Sequence, residues 1–198
     1  MANATQEELT AEAQYARAQD SLLYIRSYYA SGGLRATGSG FVVTADGLAV
    51  TAAHVVDKGA RVTALTKDGR ELEAAVVRCD VATDVAVLRL PTGRYSASAI
   101  SKSAPSGGAV LRAMGYPIKD AAVITEGLLS APAATVSGKQ RMLVTCDIVN
   151  GMSGGPIFDR FGKVVGMASG SVRTMDGIHL SALWSDLDAA VSAAQKGQ

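Results

Sequence analysis

Three short segments carry residue types that together can do covalent chemistry. In chain order they are Thr51-Ala52-Ala53-His54, Thr83-Asp84-Val85-Ala86-Val87-Leu88 and Gly151-Met152-Ser153-Gly154-Gly155-Pro156. They supply an imidazole, a carboxylate and a hydroxyl. A serine hydroxyl is a poor nucleophile at neutral pH, so a neutral imidazole has to take its proton during attack. A carboxylate behind the imidazole then fixes its tautomer and stabilises the cation that forms. His54, Asp84 and Ser153 fit these three roles in an acyl transfer. Gly151 has no Cβ, so its backbone can turn an N–H toward a tetrahedral oxyanion. With the N–H of Ser153 it would form a two-donor oxyanion hole.

Each residue has a plainer reading. Ser153 could be a serine in a glycine-rich turn, and His54 a structural histidine. Asp80 and Asp57 compete with Asp84 for the acid role. Asp84 is preferred because it immediately precedes the apolar strand Val85-Ala86-Val87-Leu88, which can bury it against His54, whereas Asp80 reads as a solvated turn residue.

These segments resemble the trypsin-like serine proteases, and within them the bacterial HtrA/DegP-like branch. The resemblance rests on Gly38-Ser39-Gly40-Phe41-Val42-Val43-Thr44-Ala45-Asp46-Gly47 running into Thr51-Ala52-Ala53-His54-Val55-Val56, and on Thr83 to Leu88. It continues through Met114-Gly115-Tyr116-Pro117, Val123-Ile124-Thr125-Glu126-Gly127, and Gly154 to Phe158 followed by Gly162 to Met167. It covers roughly Ser21 to Leu183. It implies an all-β fold of two six-stranded antiparallel barrels with a C-terminal helix, and a serine endopeptidase using His54, Asp84 and Ser153 in the chymotrypsin order. No metal or organic cofactor is expected. The partner expected is a peptide or protein substrate.

The same resemblance suggests substrate contacts. Ser169-Gly170-Ser171 matches the strand whose backbone pairs with an extended substrate. Asp147 lies six residues before Ser153, the offset at which trypsins place a specificity carboxylate; it reads equally as a solvated or capped carboxylate. His179 matches a strand bordering the specificity pocket; the plainer reading is a structural histidine.

One departure concerns Met152, which stands where trypsins carry Asp and the HtrA branch usually carries Asn. Met offers no strong hydrogen bond to hold the oxyanion loop, so Asn150 is a candidate brace. The rival reading follows from this departure: the fold kept as a peptide- or protein-binding module, or a latent hydrolase, with the loop collapsed around Met152.

The elements that must position these residues are legible in outline. The chain has 198 residues, 48 % hydrophobic and 19 % charged, enough for one compact unit or two small barrels sharing an interface. Residues 1–20 read as a helical or mobile lead-in. Residues 21–91 read as the first barrel, with strands near 21–29, 39–45, 48–52, 61–66, 71–79 and 85–90. Residues 92–108, rich in Ser, Ala, Gly and Pro, read as the inter-barrel linker. Residues 109–198 read as the second barrel plus a helix, with strands near 109–114, 122–131, 141–146, 155–159, 163–170 and 178–183. Asp46-Gly47, Asp68-Gly69 and Phe161-Gly162 mark tight turns. Ser185 with Asp188 resembles a capping box opening the last helix. The active site is then expected in the cleft between the barrels, with His54 and Asp84 from the first and Ser153 from the second.

Composition narrows the function classes. The formal net charge is +1, no two Lys/Arg residues are adjacent, and no nucleic-acid motif appears, so nucleic acid is not expected as a partner. No apolar run approaches the ~18–20 residues of a membrane span. Two cysteines, Cys79 and Cys146, sit in apolar surroundings and read as buried thiols, or alternatively as a disulfide. With two histidines in the chain, a zinc site is not expected. Residues 1–20 are polar, with Glu7, Glu8 and Glu12, and show no signal peptide. The resemblance implies an extracytoplasmic setting, with the cytoplasm as the alternative. No PDZ domain is expected after Leu183.

Overall fold

The structure, a computed structural model, describes residues 7–171 and 176–197. The elements in chain order are α1 (Ala11–Ala18), β1 (Leu22–Tyr28), β2 (Leu34–Val42), β3 (Leu48–Ala52), α2 (Ala53–Val56), β4 (Arg61–Leu65), β5 (Glu71–Glu73), β6 (Ala75–Asp80) and β7 (Val85–Arg89). There follow β8 (Val110–Ile118), β9 (Ala121–Val136), β10 (Lys139–Val144), β11 (Pro156–Asp159), β12 (Val164–Ser171), β13 (His179–Leu183) and α3 (Trp184–Lys196).

Two curled antiparallel sheets result, as the resemblance implies. The second closes into a six-stranded ring in the order β10-β13-β12-β11-β8-β9. The first differs in detail. It has seven strands, β5-β4-β1-β2-β3-β7-β6, and its ladder stays open between β5 and β6. The expected strand at 71–79 is split at Ala74: its N–H still donates to Val62 O of β4 at 3.0 Å, whereas from Ala75 the chain pairs with β7. Glycines make the tight turns: Gly47 and Gly69 have φ of 97° and 82°, where a side chain is disfavoured.

The core explains why the halves stay in one arrangement. Phe41, Leu22, Ile25, Leu48 and Leu88 of the first sheet fall in the same buried cluster as Met114, Phe158 and Met167 of the second. Burying each such side chain contributes about 1.5–3 kcal/mol. A separate cluster, with Leu111, Leu129, Met142, Ile157 and Met152, fills the ring of the second sheet. The resemblance implies that the helix α3 packs on the second barrel, and it reaches the first sheet as well. It buries Leu187, Ala190 and Val191 in the shared cluster and touches β3, β6 and β7 as well as β12 and β13.

Three local expectations need correction. Ser185 does not cap α3: the N-cap is Leu183, without a side-chain bond, because β13 stays paired to β12 through Leu183 opposite Gly166 and runs straight into the helix. The cysteines are not both buried, and they are free. Cys146 is enclosed, its thiol pushed up to about 11 by burial, whereas Cys79 lies exposed on the edge strand β6. Of the lead-in, Ala11–Ala18 is helix, capped by Thr10 and anchored by Tyr15 Oη donating to Ala122 O at 3.0 Å; residues 1–6 lie outside the described residues. No helix among the described residues is long and apolar enough to cross a membrane.

Candidate active site

Strand register brings His54 and Asp84 together. In the β3–β7 ladder Ala52 lies opposite Val85, so the residues just past β3 and just before β7 emerge at one end of the sheet. Asp84 is then locked from both sides. Its carbonyl accepts from Ala53 N at 3.0 Å, and its Oδ1 accepts from His54 N at 3.0 Å. Its φ of 63° is left-handed, a region that Asp enters more readily than most residues. The preceding turn is held by Asp80 Oδ1, which accepts from Ala82 N at 2.8 Å and Thr83 N at 3.3 Å. From the second sheet, Arg141 donates to Ala82 O at 3.2 Å and Lys139 to Val81 O at 2.8 Å. Asp57, the other competitor, is engaged elsewhere: it pairs with Arg35 at 3.1 Å, and Arg35 also donates to Val55 O at the C-terminal end of α2.

The imidazole Nδ1 of His54 lies 2.9 Å from Asp84 Oδ2 and 3.0 Å from Oδ1. An ionised carboxylate only accepts, so Nδ1 carries the proton and Nε2 presents a lone pair. Burial would raise the Asp84 carboxyl. The hydrogen bond and charge of His54, with the Ser169 hydroxyl and the His54 N–H, outweigh it and hold the carboxyl below its ordinary value. The Ser169 contact is 2.5 Å, from Oγ to Oδ2. Asp84 is buried at 7 % exposure while His54 opens to solvent, which leaves the imidazole reachable and the carboxylate shielded.

Ser153 sits in the loop between β10 and β11, and backbone bonds tie that loop into both sheets. Ser39 N donates to Ser153 O at 2.8 Å, and Gly154 N donates to Ala168 O at 2.8 Å. The approach is close because glycine permits it. A Cβ on Gly154 would lie 2.2 Å from Ser39 O and 2.8 Å from Ala52 N, and one on Gly38 would lie 2.9 Å from Ser153 O. So the segment around Ser153 rests directly on β2 and on the residues leading into His54. Among the described residues no hydrogen bond joins Ser153 Oγ to His54; in resting enzymes this bond is often long and tightens with substrate.

Gly151 has φ of 92°, and a Cβ there would strike Tyr116 O at 2.7 Å and Pro117 Cα at 2.9 Å. Among the described residues no acceptor takes the N–H of Gly151 or of Ser153, although Met152 N, Gly154 N and Gly155 N all have partners. Two unclaimed donors flanking Met152 are the pattern an oxyanion site requires. Met152 itself is fully buried in the second core. Asn150 is exposed and makes no hydrogen bond among the described residues.

The remaining candidates divide. Ser169, Gly170 and Ser171 lie on β12 past the point where β11 stops pairing, at Pro156 opposite Met167, while β13 continues to Ser171 opposite His179. One edge of this stretch is therefore open. Asp147 is exposed, its carbonyl accepting from Thr125 Oγ1 at 2.8 Å. His179 is half-buried on β13, its Nδ1 enclosed and without a hydrogen-bond partner among the described residues. No hydrogen bond or ion pair joins Asp147 to His179 among the described residues. Sequence reasoning missed the Ser169 hydroxyl on Asp84: it valued Ser169 for its backbone, and the contact depends on a bulge between Ala168 and Gly170.

Comparison with known proteins agrees with this fold. The family model of the trypsin-like peptidase domain matches residues 38–167. A probable periplasmic serine endoprotease DegP-like from Rhizobium meliloti is 37 % identical over 139 residues, covering 67 % of this chain and 27 % of that protein. Serine endoprotease DegS of Salmonella typhimurium is 33 % identical over 140 residues, covering 68 % of this chain and 39 % of that protein. The chain thus spans well under half the length of these curated relatives. The crystal structure of the serine endoprotease from Yersinia pestis superposes with a TM-score of 0.81 at 25 % identity, covering 95 % of this chain and 68 % of that one. The chain belongs to the trypsin-like peptidase domain family.

Proposed function

We propose that the protein is a serine endopeptidase that hydrolyses peptide bonds through an acyl-enzyme. His54 Nε2 takes the proton of Ser153 Oγ as the oxygen attacks the scissile carbonyl carbon. The carbonyl π electrons move onto oxygen, and the N–H groups of Gly151 and Ser153 receive that oxyanion. Asp84 keeps the proton of the resting imidazole on Nδ1 and faces the imidazolium with its negative charge. When the intermediate collapses, the C–N bond breaks and His54 gives its proton to the leaving amine. Water, deprotonated by His54, then attacks the ester and releases the acid and the free serine.

The observation that carries this reading is Asp84, a nearly buried carboxylate accepting three donors, two of them from His54. A histidine placed only for packing has no need of such a preset tautomer. The two unclaimed N–H groups beside Ser153 support the same reading. The open edge at Ser169–Ser171 would pair with the backbone of an extended peptide, and His179 would border the pocket for the side chain preceding the cut. Asp147, exposed and without a bond to His179 among the described residues, is the weaker candidate for a contact with a charged substrate side chain. The relatives named periplasmic support an extracytoplasmic place of action.

The test is cleavage of unfolded casein by purified protein and by Ser153→Ala. The expected result is fragments from the wild type and none from the variant, with equal thermal unfolding. Equal cleavage by both overturns the assignment.

A further inference from the structure

Met152 brings no polar group to the loop that carries the proposed oxyanion donors, yet that loop holds Gly151 and Ser153 with their N–H groups unclaimed. Met152 packing and the backbone bonds of Met152 N and Gly154 N hold part of the loop; the Gly151 and Ser153 carbonyls are held by another residue. Ser39, on β2 of the first sheet, is fully buried and makes four hydrogen bonds there. Its N–H donates to Ser153 O at 2.8 Å, and its carbonyl accepts from Thr51 Oγ1 at 2.7 Å. Its hydroxyl accepts from Tyr116 N at 2.8 Å and donates to Gly151 O at 2.8 Å.

The hydroxyl has one proton. Because Oγ accepts the N–H of Tyr116, that proton is free to be aimed at the Gly151 carbonyl. The carbonyls of Gly151 and Ser153, one on each side of Met152, are therefore both tied to a single residue of the other sheet. Held on the β2 side, these carbonyls fix the peptide planes after Gly151 and after Ser153, and so anchor the Gly151 Cα from which its N–H projects and bracket the Met152–Ser153 peptide that carries the Ser153 N–H. The packing leaves no slack: a Cβ on Gly115 would sit 2.8 Å from Ser39 Oγ and 2.9 Å from Met152 Cα.

We propose that Ser39 is a positioning residue for the oxyanion hole, its hydroxyl keeping Gly151 in the conformation that presents the two N–H donors. This rests on the reading of Ser153 as nucleophile. Ser39 touches no reacting atom; it acts through the Gly151 carbonyl. Removing the hydroxyl strands a buried N–H on Tyr116 and frees the partly buried carbonyl of Gly151, and loop movement can satisfy them again. Transition-state binding is then lost, while ground-state binding along β12 is kept.

The experiment compares wild type, Ser39→Ala, Ser39→Cys and Ser153→Ala on a fluorogenic peptide chosen by profiling the wild type. Rates are expressed per site titrated with a fluorophosphonate, alongside inhibition by a peptidyl boronate of the same sequence. Ser39→Ala is expected to lower kcat about 10- to 100-fold, less than the loss of a whole donor. KM should move less than threefold, and boronate affinity should fall in step with kcat. Ser39→Cys, with a weaker donor of similar shape, should fall between, and it carries the test if the alanine variant does not fold. A kcat within threefold of wild type in Ser39→Ala, or a lowered kcat with unchanged boronate affinity, overturns the proposal while an inactive Ser153→Ala leaves the nucleophile standing. Activity retained by Ser153→Ala overturns the underlying reading instead.

Discussion

Asp84→Asn isolates the electrostatic and tautomeric work of one carboxylate with little change of shape. The backbone at position 84 is left-handed, φ 63°, and Asn tolerates that region as well as Asp. The side chains are nearly isosteric. What changes is the count of acceptors. Three donors converge on the carboxylate: His54 N, His54 Nδ1 and Ser169 Oγ. An amide has one oxygen and an NH₂ that donates. Its NH₂ must face at least one of these groups. The imidazole is the group that can adapt, by moving its proton from Nδ1 to Nε2. Nε2 then has no lone pair for the Ser153 proton. The same substitution in a Ser-His-Asp enzyme drops kcat by about 10⁴, about 5 kcal/mol of barrier at about 1.36 kcal/mol per decade. The assay is kcat/KM on the profiled peptide together with the thermal midpoint. The expected result is a loss near four decades with a fold that still melts cooperatively. Activity within tenfold of wild type in folded Asp84→Asn would refute the argument that Asp84 sets the imidazole tautomer.

Other perturbations probe separate links. Ser169→Ala removes a hydrogen bond to a charged group, worth about 1.5–3 kcal/mol; the part of it gained only as the imidazolium forms, about half, should lower kcat roughly tenfold with KM little changed, and no change in kcat would show that the contact is incidental. Met152→Ala opens a cavity beneath the loop, and denaturant unfolding should reveal a loss of about 2–5 kcal/mol; a loss under 1 kcal/mol would mean that this side chain does not anchor the loop. The carboxyl of Asp84 is held below its ordinary value, so the unfolded chain binds that proton more readily. Its contribution is complete above about pH 4, the unfolded carboxylate value, and is lost as pH falls through the lower folded value. Stability measured between about pH 4 and 2 should drop more steeply in wild type than in Asp84→Asn, and parallel curves would contradict the burial-and-pairing account.

What the sequence carried, and what it did not, follows from range. Asp46-Gly47 and the short β-prone run at residues 48–52 are local signals, and the strand there, Leu48–Ala52, has the expected bounds. Asp84 was chosen over Asp80 and Asp57 because an apolar strand follows it, again a local cue. Contacts that depend on several strands at once left no such mark. Ser169 reaches Asp84 only through a bulge in β12, and Ser39 reaches Gly151 only because two sheets meet there. Cys79 lies in an apolar run that reads as buried, yet its strand is the exposed edge of an open sheet. Ser185 looked like a cap because the pattern Ser-x-x-Asp is local, but pairing of β13 through Leu183 decided where the helix begins.

Covalent labelling with a fluorophosphonate, the modified residue being located by mass spectrometry, interrogates the nucleophile itself. The probe reads both an activated hydroxyl and a formed oxyanion site. One label per chain is expected, on Ser153, abolished in Ser153→Ala and reduced by orders of magnitude in His54→Ala and Asp84→Asn. Folded wild-type protein that takes no label, or takes it on another residue, would contradict the account.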